Sequence, residues 1–241
     1  MLSEKYLYST GNILSLNELK KKAGLNSRDE LIEALKITLE DSKGEGDGSN
    51  INNSVEINSD NIDRKEMKIT VKVFLSNTDS KFLKEAIDQV CEVLKTNTIE
   101  SLIIVINKHN DIDDILRLLE SLWTVLEEYY KMKKLTSIGV SDIDTEKFIQ
   151  LFKWAKVKPN IIQINLATCC VVPPMLQEFT KQNDIQLLTH SDPSPILTEE
   201  SLIKYFGIDA ELNWVARYQI HLRCRGVLSS KGYLVRINKS T

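Results

Sequence analysis

Residues 137–142 read SIGVSD, residues 148–155 read FIQLFKWA, and residues 157–165 read VKPNIIQIN. The first run is typical of a β-strand that ends in a tight turn, and the second has the spacing of an amphipathic helix. The third run predicts a Lys-Pro loop that leads into another strand. This order describes one βα unit feeding the next strand of a parallel sheet, so the stretch predicts an α/β fold.

The same alternation of strand and helix extends over most of the chain. Further strands are predicted at 67–75, 102–106 and 185–188, with helices at 80–94, 112–130, 145–155, 174–182 and 198–206. The strands recur at intervals of about 25 to 35 residues, the size of a βα unit with its right-handed crossover. A (β/α) barrel and an open doubly wound sheet both fit this pattern, and periodicity does not decide between them.

The two ends of the chain are less regular. Capping signals and apolar spacing predict a helix that carries Leu16 and Leu19 and a second helix from about residue 27 to 39. Residues 213–222 are predicted to form a last helix, followed by strand-like runs to residue 237. Between about residues 41 and 63 the sequence is rich in Gly, Asn, Ser and Asp, which predicts a flexible polar loop.

Composition limits the kind of protein this chain is. It has 241 residues, of which 42% are hydrophobic and 27% charged, and a formal net charge of −3. These values are ordinary for a single soluble globular domain. No basic excess is available to neutralise phosphates, so we expect no nucleic-acid partner. No apolar run approaches the roughly 20 residues of a membrane span, and no signal peptide is evident, so we expect no membrane contact and a cytoplasmic location.

Motifs for metal and nucleotide binding are absent from the sequence. There are four cysteines, none in a C-x-x-C pair, and three histidines, so no metal site is expected. No G-x-G-x-x-G run follows a predicted strand, and no P-loop is present. The adjacent pair Cys169 and Cys170 follows a predicted strand. It is interpreted either as a redox or partner contact or as two packed thiols, with packing favoured.

Six sequence blocks resemble one known family closely. Five of them lie between residues 136 and 193: SIGVSD at 137–142, WAKVKPN at 154–160, QINLA at 163–167, CCVVPP at 169–174 and DIQLLTHSDP at 184–193. The sixth, RGVLSSKGY at 225–233, is similar to the same family's C-terminal segment. The family is that of the regulatory (modifier) subunits of glutamate–cysteine ligase, which are related to the aldo-keto reductases. The resemblance implies a single domain over residues 1–241 with an α/β fold, a TIM-type (β/α) barrel in truncated or degenerate form.

The resemblance also permits a comparison with the reductase active site. Aldo-keto reductases use a tyrosine as general acid, assisted by a lysine, a histidine and an aspartate, beside a nicotinamide that delivers hydride. Lys72 resembles the reductase lysine and is interpreted as vestigial. Asn107 stands at the histidine position, and an amide does not titrate. No tyrosine occurs between Tyr8 and Tyr129, so the general acid is missing and no catalytic residues are expected.

The positions that hold the cofactor in reductases are also altered. Ser141 and Asp142 replace the Ser-Asn pair that holds the carboxamide, and Gln163 matches the reductase glutamine. His190 replaces the aromatic residue that stacks on the nicotinamide. We regard these four residues as residual cofactor positions and expect no bound cofactor.

Two of these side chains have simpler structural interpretations. His190 is expected to be a hydrogen-bonding structural histidine rather than a catalytic base, because no nucleophile is defined for it. Asp142 is expected to cap the helix that begins at Thr145, in preference to binding a basic partner side chain.

The run YYKMKK at 129–134 ends a predicted helix. Its tyrosines and lysines are interpreted either as an exposed anchor for a partner or as a solvated helix end with cations near the negative dipole, which is the simpler account. Trp123 and Tyr130 lie on the predicted apolar side of the helix and are expected in the core.

The sequence therefore predicts a non-catalytic regulatory subunit. The family implies a heterodimer with the glutamate–cysteine ligase catalytic subunit, in which this chain raises glutamate affinity and relieves feedback inhibition by glutathione. The rival hypotheses are an NADPH-dependent aldo-keto reductase-like oxidoreductase and an NADPH-sensing barrel.

Overall fold

The structure is a computed structural model that describes residues 3–22, 24–42, 63–106, 115–167 and 171–240. Most of the predicted polar loop, from residue 43 to residue 62, lies outside these ranges. So do Asn107, Cys169 and Cys170, whose predicted roles therefore stay predictions.

Eight strands, seven α-helices and two short 3-10 helices make up the described residues. The strands are β1 (Ser3–Ser9), β2 (Met67–Leu75), β3 (Ile99–Ile106), β4 (Leu135–Ser141), β5 (Ile161–Asn165), β6 (Gln186–His190), β7 (Ala210–Leu222) and β8 (Val227–Ser240). The helices are α1 (Asn17–Lys20), α2 (Ser27–Ser42), α3 (Ser80–Val93), α4 (Ile115–Lys131), α5 (Thr145–Trp154), α6 (Pro174–Gln182) and α7 (Glu199–Phe206). The predicted βα repeat from residue 67 to residue 206 is confirmed, with shifts of a few residues at some element ends.

All eight strands belong to one sheet with the order β1-β8-β7-β2-β3-β4-β5-β6. Strands β2 to β6 are parallel, whereas β7, β8 and β1 add to the β2 side in antiparallel fashion. The predicted α/β class with consecutive parallel strands is confirmed. Among the described residues β1 and β6 are the two edges and do not pair with each other, so the sheet is open and corresponds to the truncated form of the expected barrel.

Helices α3 to α6 cover one face of the sheet. Apolar side chains that alternate along β2, among them Ile69, Val71 and Val73, are fully buried against them. The largest buried side chains here are Trp123 of α4 and Trp214 of β7. The parallel strands β2 to β5 are each followed by a helix on this face, and the burial of apolar area is the main force that holds the two layers together.

Helices α2 and α7 cover the other face, over the antiparallel strands. Leu31 and Leu35 of α2 are completely buried and belong to the same apolar cluster as Val215 of β7 and Tyr233 and Val235 of β8. This face would line the interior of a closed barrel. In this chain part of it is filled by a helix from the N-terminal region.

The helix predicted for residues 213–222 is wrong. The segment is the central part of β7, in which Trp214, Ala216, Tyr218 and Ile220 alternate into the helix-covered core. This is the two-residue period of a strand, and the antiparallel pairing with β2 over its whole length fixes it.

Tyr130 was expected in the core, but its side chain is 38% exposed, whereas Tyr129 is buried. No helix in the described residues is long and apolar enough to cross a membrane.

Candidate functional site

A buried charged cluster lies toward the C-terminal ends of the parallel strands. Lys72 of β2 and Arg217 of β7 face each other across the antiparallel pair. Both bind Asp192, which lies two residues beyond β6. Lys72 Nζ donates to Asp192 Oδ2 at 2.8 Å, and the two terminal nitrogens of Arg217 donate to both carboxylate oxygens, Nη2 to Oδ2 at 3.1 Å. One carboxylate therefore joins strands from both halves of the sheet.

His190, the last residue of β6, extends the cluster. Its Nε2 lies 2.9 Å from Asp142 Oδ1 and 3.0 Å from Ser141 Oγ. Its Nδ1 lies 3.1 Å from the Asp192 backbone nitrogen and 3.2 Å from Asp192 Oδ2. In the neutral form with the proton on Nε2, the ring donates to Asp142 and accepts from the Asp192 amide. In the protonated form it lies between two carboxylates.

Asp142 does not cap α5, contrary to the sequence prediction. Asp144 is the N-cap, since its side chain accepts from the backbone N–H groups of Glu146 and Lys147. Asp142 adopts a left-handed backbone conformation with φ of 60° and accepts from His190 and Ser141. The tight turn after β4 thus directs this carboxylate toward β6 rather than toward the helix.

The electrostatic environment keeps the carboxylates ionised. Burial of the Asp192 carboxyl raises its pKa, but hydrogen bonds from His190 and Arg217 outweigh burial and hold the pKa far below its usual range. Burial lowers the pKa of Lys72, and the adjacent Asp192 offsets only part of this effect. Burial alone would also lower the pKa of His190, yet its hydrogen bonds to Asp142 and Asp192 raise it above the ordinary value.

The charges of this cluster compensate one another. With His190 neutral, Lys72 and Arg217 balance Asp142 and Asp192, and each of the four is held by another member of the cluster or by His190. Removing one partner of such a buried ion pair leaves the charge of the other partner uncompensated. The arrangement is therefore suited to fixing β2, β4, β6 and β7 relative to one another.

The cluster contains no proton donor of the reductase type. The cross-strand row Lys72, Arg217, Tyr233 places one phenol on the same side of the sheet, two strands from Lys72 and thus about 10 Å away. Tyr233 is completely buried in the apolar cluster with α2, and its hydroxyl donates to Glu30 Oε1 at 2.6 Å. Burial raises its pKa above the usual tyrosine value. This phenol is bound to α2 and also lies near Arg217, whose charge interacts with it.

The residual cofactor positions do not fit a nicotinamide. The polar atoms of Ser141 and Asp142, which would face its carboxamide, are hydrogen-bonded to His190 and to each other. Gln163 of β5 pairs with Ser141 in the sheet, and its Oε1 is buried without a hydrogen-bond partner. The side-chain oxygen of Gln163 is thus a polar atom of this set that has no partner among the described residues. Within the described ranges no group of His, Cys, Asp and Glu side chains is arranged to hold a metal ion.

The structure thus brings together Lys72, Ser141, Asp142 and His190, with Gln163 on the next strand. Sequence reasoning missed Arg217 and the central role of Asp192. Asp192 belongs to the block THSDP, which was singled out only for its resemblance. Arg217 was missed because its segment was incorrectly predicted to be a helix. A strand assignment for residues 213–222 would have placed it beside Lys72, since β7 runs antiparallel to β2.

Known proteins of one family are similar to this chain. The model of the aldo/keto reductase family matches residues 48–197. The glutamate–cysteine ligase regulatory subunit of Homo sapiens is 34% identical over 252 residues, covering 95% of this chain and 91% of the human protein. The Mus musculus regulatory subunit matches equally, with the same coverage. A crystal structure of an aldo/keto reductase from Brucella melitensis is 24% identical with a TM-score of 0.46, covering 61% of this chain and 56% of that one.

Proposed function

Because the chain belongs to the aldo/keto reductase family, and within it to the glutamate–cysteine ligase regulatory subunits, we propose that it is a non-catalytic regulatory subunit of that ligase. In this proposal it binds the catalytic subunit as a heterodimer in the cytoplasm. Its binding raises the affinity of the catalytic subunit for glutamate and weakens feedback inhibition by glutathione.

The single observation that supports this proposal best is the self-compensated state of the charged cluster. Carbonyl reduction needs a general acid next to the reacting oxygen, within hydrogen-bond reach. Lys72 is bound to Asp192, and the phenol of Tyr233 is bound to Glu30 beneath α2. The groups that remain stabilise the fold, and none of the described groups is placed to protonate a substrate.

The position of α2 supports the same proposal. Its buried residues Leu31, Ala34 and Leu35 pack on the face of the sheet that would line a barrel interior. An interior occupied by the chain's own helix leaves recognition at the outer surface as the means by which this protein acts.

The proposed regulation requires only a modest free energy. A partner that binds one conformation of the catalytic subunit better than another shifts the population toward it. A coupling free energy of about 1–3 kcal/mol changes a ligand affinity roughly 5- to 150-fold. Contacts across an interface of ordinary size are sufficient for this.

The test is to co-purify the chain with the ligase catalytic subunit and measure initial rates against glutamate with and without it. We expect co-elution at a one-to-one ratio, a lower KM for glutamate and a higher inhibition constant for glutathione. Separate elution together with unchanged kinetics would remove the proposal.

The rival hypotheses retain a nicotinamide cofactor. They are favoured by the Lys72–Asp192 ion pair and by the uncommitted oxygen of Gln163, both compatible with a remnant reductase site. Fluorescence titration with NADPH separates the hypotheses. Saturable binding with turnover of an aldehyde indicates an oxidoreductase, and saturable binding that only alters ligase kinetics indicates an NADPH sensor. Our proposal expects neither.

A further inference from the structure

The ends of α4 and α5 form an exposed surface that combines large apolar side chains with lysines. Met132 is 64% exposed, Trp154 is 45% exposed and Tyr130 is 38% exposed. Four exposed lysines surround these side chains. We name this surface the α4–α5 basic face and define it as Tyr130, Lys131, Met132, Lys133, Lys153, Trp154 and Lys156.

A buried carboxylate holds the two helix ends together. Glu127 of α4 accepts hydrogen bonds from the backbone nitrogens of Lys156 and Val157 at 2.7 and 2.9 Å. Tyr130 and Lys131 follow Glu127 by three and four residues, so they lie on the same side of α4, one turn further on. They are thus placed next to Lys156 in the loop that follows α5.

Trp154 also faces this region. Phe152 lies on the α6 side of α5, where its ring packs against Phe179 with centroids 5.2 Å apart. Two residues along a helix correspond to about 200° of rotation, so Trp154 lies on the opposite flank, toward α4. The three exposed apolar side chains therefore converge between the two helix ends.

The lysines of the α4–α5 basic face lack carboxylate partners. Among the described residues, none of Lys131, Lys133, Lys153 and Lys156 forms an ion pair. The nearby acidic side chains are already engaged. Glu127 binds the loop after α5, and Glu128 binds Lys84 at 2.9 Å. A chain with a net charge of −3 thus carries four uncompensated positive charges on one small surface.

We propose that the α4–α5 basic face docks an acidic surface of the ligase catalytic subunit, with Trp154 and Tyr130 as its apolar anchors. This inference rests on the proposed function. Aromatic side chains at the centre and charges at the rim are the usual arrangement of a protein interface. Rim charges mainly speed association and fix orientation, so the partner is expected to present carboxylates around an apolar depression.

A protein partner fits this face better than a phosphate-rich one. Residues 127–158 contain no arginine, the side chain preferred for bidentate contact with phosphates. An isolated group of lysines around aromatic rings is suited to a local acidic surface.

The test is the affinity for the purified catalytic subunit, measured by biolayer interferometry at low and high salt. The variant carries Lys131→Glu, Lys133→Glu, Lys153→Glu and Lys156→Glu. Its matched control carries Lys20→Glu, Lys21→Glu, Lys36→Glu and Lys204→Glu, four exposed lysines on α1, the turn after it, α2 and α7, with the same change in net charge. We expect the Kd of the variant to rise at least tenfold at low salt and that of the control to change less than threefold.

The outcomes separate this inference from the proposed function. If the wild-type chain does not bind the catalytic subunit, the proposed function itself fails. If the wild-type chain binds and both variants bind equally well, the regulatory role stands and the docking surface is wrong. Sedimentation with phosphatidylserine vesicles and a nucleic-acid binding assay are run in parallel. If the variant with the four Lys→Glu substitutions loses binding to the vesicles or to the nucleic acid but still binds the catalytic subunit, the face serves a membrane or a nucleic acid, and the inference is overturned.

A milder set of substitutions tests the same surface with a lower risk that loss of binding is caused by misfolding. One variant replaces the four lysines by glutamine, which removes the charges and keeps the hydrogen-bonding capacity (Lys131→Gln, Lys133→Gln, Lys153→Gln and Lys156→Gln). A second variant, Trp154→Ala, removes the apolar anchor without changing the charge. Circular dichroism confirms the fold of each. Both are expected to weaken binding at least fivefold, and wild-type affinity in both folded variants would contradict the docking surface.

Discussion

The buried cluster around Asp192 and the α4–α5 basic face use charge in opposite ways. In the cluster, Lys72 and Arg217 are neutralised by a carboxylate within hydrogen-bond distance, and Lys72, Asp192 and His190 are buried. On the basic face, Lys131, Lys133, Lys153 and Lys156 are exposed, and within the part of the chain that the structure describes none of them pairs with a carboxylate. Charges that satisfy one another stabilise a fold, whereas charges left uncompensated at the surface are available to a partner. We therefore propose that the cluster around Lys72 and Asp192 has a structural role and that the outer helices serve recognition.

The largest expected effect comes from removing the carboxylate at the centre of the buried cluster. Asp192→Ala leaves Lys72 and Arg217 buried without a counter-ion, and loss of one partner of a buried pair costs about 3–5 kcal/mol. Urea unfolding followed by circular dichroism measures this change. The exposed Asp209→Ala is the control and should change the free energy of unfolding by less than about 0.5 kcal/mol. A loss below about 1 kcal/mol for Asp192→Ala would show that the cluster does not stabilise the fold.

A smaller effect on stability is expected from substitution of Glu127, which holds the loop that carries part of the α4–α5 basic face. Glu127→Ala removes the acceptor for two backbone N–H groups in the loop after α5, and losing hydrogen bonds to a charged group costs about 1.5–3 kcal/mol. Because the same contact positions the basic face, binding to the catalytic subunit should weaken as well. Equilibrium unfolding and interferometry on one preparation measure both quantities. Glu128→Ala, which removes only an exposed ion pair with Lys84, should alter neither by more than about 0.5 kcal/mol.

The smallest effect on folding is expected at the surface. Trp154→Ala should change the free energy of unfolding by less than about 1 kcal/mol, because nearly half of the side chain is already exposed. The same substitution should cost about 1–2 kcal/mol in binding, the range of an interface anchor. If instead stability falls and affinity is unchanged, Trp154 belongs to the core.

The stability of the fold is expected to fall at both high and low pH, and both declines arise in the buried cluster. The pKa of His190 is raised in the folded chain, so its stabilising contribution is complete below the ordinary histidine pKa of about 6.5 and is lost as pH rises through the folded value. The pKa values of Asp142 and Asp192 are lowered, so their contribution is complete above the ordinary value near 4 and is lost as pH falls through the folded values. His190→Gln should flatten the alkaline decline and also reduce the acidic one, because hydrogen bonds from His190 contribute to the low pKa of both carboxyls. Parallel curves for the two proteins would rule out titration of His190 as the cause.

The sequence indicated much of the fold because most elements are determined locally. The strand at residues 67–75 and the helix at residues 174–182 were predicted with their observed limits, since alternation and a proline at the first turn leave little choice. Residues 213–222 were wrongly predicted to be a helix because their apolar pattern, with Trp214, Ala216 and Tyr218 on one face of a strand, is also compatible with a short apolar helix. Only the pairing with β2 distinguishes the two structures.

The site was harder to predict from the sequence than the fold, because its residues come from distant parts of the chain. Lys72 and Asp192 are separated by 120 residues, and neither the register of β7 nor the position of α2 follows from local pattern. Tyr130 was expected in the core because it continues the helical spacing of the buried residues Trp123 and Leu126, but α4 ends only one residue later, at Lys131. The structure buries Tyr129 instead and leaves Tyr130 on the basic face.

The glutamate saturation curve of the purified catalytic subunit, recorded with and without this chain and in both the presence and the absence of NADPH, tests the central claim most directly. We predict that the chain shifts the curve to lower glutamate concentrations by the same amount whether or not NADPH is present. A curve that does not move, or one that moves only while NADPH is consumed, would contradict the account.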